Sequence, residues 1–442
     1  MGGTWLSQNK VRPGAYINFS SVPRPSTTVG DRGIATMALP LSWGAEGELI
    51  DVYSTDLLDG SSLASVGMTA FDAESKLLRL MLSGCYLAKI YRLNSGGARA
   101  VGAVGELLVR AKHPGEFGNE ITIAVTATGA LFTVTTYVSG ASRDSQTVAL
   151  VGELDNNDFV EFSGSGALTP NAGFPLEGGT DGTVQPSTAY PAYLALAMKA
   201  RWQTMALTQD TTQYNPIFAE FAETMRETEG RFVQVALSNY AGADYPGVIN
   251  SDCGVGLADG SVVTADEAAA WVAGITAGAS VIQSNGSRPF PDAIRILNER
   301  TNSEIIDALK AGMFILSTNQ RGDIKVEDDI NSLHTFTPAR NRDWRLNQVV
   351  RVLDEIGTTV SDIWEQSYQH KVQNNDNGRM IFKADIIGYF NQLMNLGAIT
   401  DFAGADDIVV DRGMDLDAVT ADVLAQPVAA MSKLYMQVNV KG

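Results

Sequence analysis

The chain has 442 residues, enough for about three domains, and 45% of its residues are hydrophobic, which supplies large apolar cores. Its 32 basic and 50 acidic side chains give a formal net charge of −18, which argues against a nucleic-acid backbone as a partner. Two cysteines, Cys85 and Cys253, are too few for a disulfide scaffold. We expect both to be buried thiols in a reducing cytoplasm.

No stretch of the sequence predicts a membrane span or an export signal. The first ten residues lack the apolar core of a signal peptide, and Leu6 stands where a myristoylation signal needs Ser or Thr. The most apolar run, residues 268–282, is too short and too rich in Ala and Gly to cross a bilayer. It predicts a buried helix, and we expect no membrane binding by this chain.

Both ends of the chain alternate apolar and polar residues as a half-buried β-strand does, and neither end has a partner beside it in the sequence. A lone apolar strand is unstable in water, so each needs a sheet to join, either in its own chain or in another. The apolar positions are Val11, Pro13, Ala15, Ile17 and Phe19 at the start and Leu434, Met436, Val438 and Val440 at the end. We call residues 1–19 the N-terminal arm and residues 434–440 the C-terminal arm. Residues 20–30 contain two prolines and no apolar period, which predicts an extended linker.

The middle of the chain predicts an α/β body with an insertion. Strand-like and helix-like segments alternate in residues 31–97 and again in residues 183–332. Between them, residues 98–182 contain short β-rich segments separated by Gly, Asn and Asp turns. Apolar and polar residues alternate there, as in the segment from Ile121 to Thr126. This pattern predicts a β-sandwich inserted into the α/β domain.

Residues 333–442 predict a separate α+β domain. Helical spacing of apolar residues runs from Leu346 to Trp364 and again from Ile381 to Met394, and Gly397 is the predicted end of the second helix. Two short apolar segments follow and predict a two-stranded hairpin, which is marginal alone and leaves edges to fill. Its apolar residues are Ile408, Val409, Val410, Val419 and Val423.

Catalytic and ligand motifs are weak. A Ser-His-Asp triad needs a histidine base, and His113, His334 and His370 all lie outside the predicted α/β body. The glycines at 178, 179 and 182 lack the lysine of a phosphate-binding loop. The aspartates of residues 401–417 lack the spacing and closing Glu of an EF-hand, which favours a solvated loop. We therefore expect no enzyme activity, no cofactor and no metal.

Several strings along the chain together resemble one protein family. They are KVRPGAYINF and VGDRGIATMALPLSWG near the start, LLVRAKHPGEFGN and LEGGTDG in the middle, NQVV at 347–350, and QPVAAMSKLYMQVNV at the end. Their order and spacing resemble the tail sheath proteins of contractile phage tails and phage-like bacteriocins. The resemblance covers essentially the whole chain. It implies a subtilisin-like α/β body without the protease's catalytic residues, with an inserted β-sandwich, a C-terminal sheath domain and extended terminal arms.

The resemblance also implies a mechanism of assembly. Sheath subunits stack around an inner tube, and the arms of two subunits add strands to the C-terminal domain of a third, so the predicted hairpin would be the acceptor. The implied partners are further copies of this chain, the inner tube protein, and baseplate and tail terminator proteins. Lys371, Arg379 and Lys383 are candidates for contact with the tube.

The implied location is a virion tail or tail-like particle, assembled in the cytoplasm of a bacterial host. Two other interpretations stay open at this point. One is a static shell or fibre subunit that never contracts, and the other is a serine-hydrolase-like enzyme.

Overall fold

The computed structural model of the chain describes residues 32–209 and 211–440. The predicted N-terminal arm and its linker therefore lie outside the described residues. Close packing divides the described chain into a large unit, residues 32–355 with 427–440, and a small unit, residues 356–426. The domain boundaries expected at residues 97, 182 and 332 stay predictions.

The large unit opens with strands and short helices, as the alternating pattern predicts. The elements are β1 (Ile34–Leu39), β2 (Leu49–Tyr53), α1 (Ser54–Asp59), α2 (Leu63–Val66), α3 (Lys76–Leu82), β3 (Leu87–Arg92) and β4 (Asn94–Ser95). Every residue of β1 is buried, as expected of a central strand whose sequence is apolar apart from Thr36. β1 pairs in parallel with β3, and β2 pairs with β3 in the antiparallel direction.

The insertion forms two antiparallel sheets that share one apolar core. Its strands are β5 (Val101–Val104), β6 (Leu107–Ala111), β7 (Ile121–Thr128), β8 (Leu131–Val138), β9 (Ala141–Val148), β10 (Val160–Ser163) and β11 (Asn171–Pro175). One sheet has the order β10-β6-β5 and the other β11-β7-β8-β9. Ile121, Ile123 and Val125 are buried as their alternation predicts, and Trp43 and Leu63 from the preceding segment complete the core. The insertion therefore shares part of its core with the body.

The α/β pattern resumes after the insertion. Its elements are β12 (Thr183–Val184), α4 (Pro186–Ala197), β13 (Thr204–Ala206), α5 (Thr211–Glu223), β14 (Gln234–Ser238), β15 (Val248–Asp252), β16 (Val255–Leu257), β17 (Val262–Val263), α6 (Ala265–Gly278), β18 (Ala293–Ile296), α7 (Asn302–Lys310), β19 (Met313–Thr318) and β20 (Ile324–Val326). Together with the first segment they form an eight-stranded sheet of order β2-β3-β1-β13-β14-β15-β19-β20. All of its internal pairs are parallel, and the two outermost strands run antiparallel.

Helix α6 is the buried helix predicted for the Ala-rich run. It begins at a capping box in which Thr264 and Glu267 satisfy each other's backbone N–H groups. Its small residues permit contact with the end of α3: a Cβ added to Gly274 would lie 2.0 Å from the Met81 carbonyl oxygen. Glycine is required here because any side chain would push the two helices apart.

The remaining elements include two long helices and the predicted hairpin. They are α8 (Asn347–Ile363), α9 (Asp376–Leu396), β21 (Ile399–Thr400), β22 (Ile408–Arg412), β23 (Val419–Val423) and β24 (Gln426–Pro427). The division between the two units falls inside α8, after residue 355. Gly397 ends α9 in the left-handed conformation, with φ of 77°, as predicted.

Candidate assembly surface

The hairpin of the small unit is a two-stranded sheet in which β22 and β23 pair with each other. Ile408 lies opposite Val423 and Val410 opposite Ala421, so these residues share one face. α9 packs against β22, and Ile408 is completely buried. On the other face Val409 is 51% exposed. Among the described residues, the outer edge of each strand has no neighbouring strand, so both edges can accept another strand.

Seven aspartates and one arginine fall within residues 401–422, around this hairpin. Some carboxylates serve the local fold: that of Asp407 accepts a hydrogen bond from the Ala403 N–H at 2.5 Å. In the part of the chain that the structure describes, no group of three or more His, Cys, Asp or Glu side chains is placed to hold a metal ion. The aspartates instead give the hairpin a negative surface.

The described residues of the C-terminal arm form neither helix nor strand. Its predicted apolar positions are exposed, as Leu434 illustrates at 84% and Val440 at 89%. An exposed apolar segment of this kind lacks the sheet that its alternating pattern requires. Its strand, and the strand expected at Val11 to Phe19 outside the described residues, stay predictions.

The three candidate tube-contact residues belong to the small unit and are engaged locally. The Lys371 ammonium donates to the carbonyls of Glu365 and Gln366 near the end of the preceding helical segment. Arg379 donates to the Asn374 side chain at 2.7 Å and to the Asp376 carboxylate. Lys383 donates to the Ala405 carbonyl at 2.8 Å. A contact with another protein would therefore share or replace these hydrogen bonds.

A second feature of the small unit was missed by the sequence analysis. Trp364, Tyr368 and Phe382 pack as three neighbouring rings, with Trp364 and Phe382 centroids 5.2 Å apart and Tyr368 and Phe382 centroids 4.9 Å apart. They line an open groove of about 710 Å³, which we call the aromatic groove. Its rim includes Val372, Leu416, Asp417 and Val419. The i, i+4 spacing of Trp364 and Tyr368 was a sequence signal for clustered rings, but nothing in it identified Leu416 as a neighbour.

The histidines do not form a catalytic arrangement in the described structure. His334 Nδ1 lies 3.4 Å from the Asp244 carboxylate, but the nearby Ser332 hydroxyl donates to the Tyr245 carbonyl. His113 packs edge-on against Trp43, at 5.1 Å between ring centroids. Burial, followed by the positive charges of Lys112, Arg99 and Arg92, lowers the pKa of His113 to about 4. The imidazole of His113 is therefore uncharged near neutral pH and packs as a neutral ring against Trp43.

None of the helices in the described part of the chain is both long enough and apolar enough to cross a membrane.

Three family models match successive parts of the chain. They are the phage tail sheath protein β-sandwich domain at residues 95–181, the phage tail sheath protein central domain at residues 187–332 and the phage tail sheath C-terminal domain at residues 339–441.

Relatives and solved structures match over nearly the full length. Protein XkdK of the phage-like element PBSX from Bacillus subtilis (strain 168) is 31% identical, over 99% of both chains. The sheath tail protein of Desulfitobacterium hafniense is 39% identical, with a TM-score of 0.80 over 97% of this chain and 100% of that one. The helical sheath of the anti-feeding prophage in its contracted state shares the fold at 11% identity, with a TM-score of 0.56 over 97% of this chain and 99% of that one. The chain therefore belongs to the phage tail sheath protein family.

Proposed function

We propose that this chain is a subunit of a contractile tail sheath that polymerises around an inner tube by exchanging terminal β-strands. The observation that carries the proposal is the hairpin of β22 and β23, whose outer edges have no neighbouring strand among the described residues. The exposed C-terminal arm and the alternating pattern of the N-terminal arm supply two strands for these two edges. In this proposal the body is subtilisin-like and the insertion is a β-sandwich.

Weak arms suit a polymer that must rearrange. Each buried apolar side chain contributes roughly 1.5–3 kcal/mol, while each ordered backbone residue costs about 1–2 kcal/mol. The N-terminal strand places five apolar residues on one face over nine positions, so the two terms nearly cancel. A subunit that donates two arms and receives two forms its later contacts at high effective concentration, and the lattice is stable although each link is weak.

The mechanical role is to shorten and widen around the tube and so drive it through a target envelope. The shared fold with sheaths solved in the contracted state supports this role. The tube, the baseplate and the tail terminator are the partners that such a sheath requires. We place Lys371, Arg379 and Lys383 at the tube, and assembly in the cytoplasm of the bacterial host. The relatives are structural sheath proteins, which supports a function without catalysis.

Removal of residues 1–20 tests the strand exchange. The truncated chain should stay folded and soluble but fail to form cylinders, which negative-stain microscopy detects. Ile17→Asp should act in the same direction, because it places a charge on the face that meets the acceptor sheet.

Asn18→Asp is the matched control, since it adds the same charge on the opposite face of the same strand. Long cylinders from the truncated chain, or equal assembly defects in the two point variants, would contradict strand exchange.

A further inference from the structure

The aromatic groove is open, and both apolar and polar side chains line it. Of its three rings, Tyr368 and Phe382 are buried and Trp364 is half-buried, whereas Val372 and Leu416 are 39% and 77% exposed. Leu416 lies in the turn between β22 and β23, so the groove adjoins one end of the acceptor hairpin. A concave surface that combines apolar side chains with polar groups is typical of a binding site.

The N-terminal arm contains a large apolar residue that lies outside the strand predicted to pair with the hairpin. The alternating pattern covers residues 11–19, and Trp5 precedes it by six residues. Tryptophan is the residue type most enriched among the anchors of protein interfaces, because it buries a large apolar surface. Trp5 is thus a candidate anchor residue to which the proposed strand pairing assigns no contact.

The charges of the two regions are complementary. Residues 1–30 contain Lys10, Arg12 and Arg24 and no Asp or Glu, whereas the whole chain has a net charge of −18. The hairpin region has seven aspartates, of which Asp417 lies at the rim of the groove. Opposite charges on two surfaces favour their encounter and fix their relative register.

The length of the arm is also compatible with an anchor in the aromatic groove. An arm that pairs antiparallel with β22 has its N-terminal end at the turn of the hairpin, since β22 runs toward that turn. The six residues from Trp5 to Val11 span up to roughly 20 Å when extended. This length is sufficient to carry Trp5 past the turn and into the groove.

We propose that the aromatic groove binds the N-terminal end of the arm of a second copy of this chain, with Trp5 against Trp364, Val372 and Leu416. The proposal rests on the proposed strand exchange and adds a side-chain anchor to it. Strand pairing alone uses backbone hydrogen bonds, which any sequence can form. The anchor fixes which residue of the arm lies at which end of the hairpin.

Cross-linking of assembled cylinders tests this position. The two native cysteines are buried, so engineered thiols can be addressed separately. In a chain that carries Thr4→Cys and Val372→Cys, a short bifunctional maleimide should join subunits into a ladder on denaturing gels. The matched control carries Thr4→Cys and Leu58→Cys, because Leu58 is an exposed residue of the large unit.

Each outcome of this experiment has a distinct meaning. Cylinders that form but cross-link no better than the control would overturn the anchor and leave strand exchange intact. A monomer that cross-links only to itself would show that the chain's own arm fills the groove. If the tube protein alone protects the thiol at 372 from labelling in the truncated chain, the groove belongs to the tube.

Substitution of the anchor provides an independent measurement. Trp5→Ala should raise the concentration needed for assembly by about tenfold or more, and Trp5→Phe should restore most of the loss. Assembly of Trp5→Ala at the unaltered concentration would contradict the proposal. A failure of strand exchange itself would appear instead as normal cylinders from the chain that lacks residues 1–20.

Discussion

Replacement of Asp354 by Asn should destabilise the large unit strongly, because it removes the charge that neutralises a buried arginine. Arg226 donates to the Asp354 carboxylate at 2.8 and 2.5 Å, and the two side chains are only 7% and 5% exposed. Asp354 lies on α8 just before the helix enters the small unit. The ion pair therefore holds the first part of α8 against the body of the large unit.

The size of the effect follows from the burial of the pair. Removal of one partner of a buried ion pair costs about 3–5 kcal/mol, since the other charge remains buried without a counter-charge. An unfolding entropy of about 2.1 cal/mol/K per residue gives roughly 1.4 °C of melting temperature for each kcal/mol in a unit of this size, so we expect a decrease of about 4–7 °C.

Heat-induced labelling of Cys85 and Cys253 measures this transition, because both thiols are buried in the large unit. Burial raises the pKa of Cys85 to about 12 and that of Cys253 well above its usual value, so neither thiol should react while the unit is folded.

An exposed ion pair provides the control. Lys310 and Asp307 are 3.7 Å apart, and both side chains are more than 70% exposed. Asp307→Asn should change the melting temperature by about 1 °C or less, since exposed pairs contribute little. The double variant Arg226→Met with Asp354→Leu should recover much of the loss, because no buried charge remains. A melting temperature for Asp354→Asn within 2 °C of the parent would refute the reasoning.

Three further predictions concern the body, the insertion and the linker. Because the pKa of His113 is about 4 when folded and about 6.5 when unfolded, the unfolded chain binds more protons between these values. The stability that the neutral His113 side chain contributes is complete above pH 6.5 and decreases as the pH falls toward 4. The melting temperature of His113→Gln, measured across this pH range, should lose this part of the pH dependence. Residues 98–182 expressed alone should show a β-sheet circular dichroism spectrum but melt below the intact chain, because Trp43 and Leu63 are missing from the core. An unfolded spectrum would reject the domain boundary. Six Gly/Ser residues inserted after Ser26 should permit extended sheaths, since longer loops cost little closure entropy, but should impair contraction if the linker transmits the pull. Complete contraction at the normal rate would assign that role to contacts between bodies.

Elements with a strong local pattern could be predicted from the sequence. The Ala-rich run became α6, the alternating residues from Ile121 became β7, and the two short apolar segments after residue 407 became the hairpin. In each case the order of apolar and polar residues along the segment indicates the type of element and its buried positions. The three-stranded sheet of β17, β16 and β18 was missed, because strands of two to four residues are too short to show a period.

Features that depend on distant residues could not be predicted. The aromatic groove brings Leu416 beside Trp364, and no local pattern reports a contact across that separation. Trp43 lies far from the insertion in sequence yet completes its core.

The central claim is that this chain forms a sheath that contracts, rather than a static shell. Negative-stain microscopy of the particles before and after triggering tests it most directly. We expect hollow cylinders of two kinds, one long and narrow and one short and wide, built from the same subunit. Cylinders of a single diameter under every triggering condition, with a tube that never emerges, would contradict it.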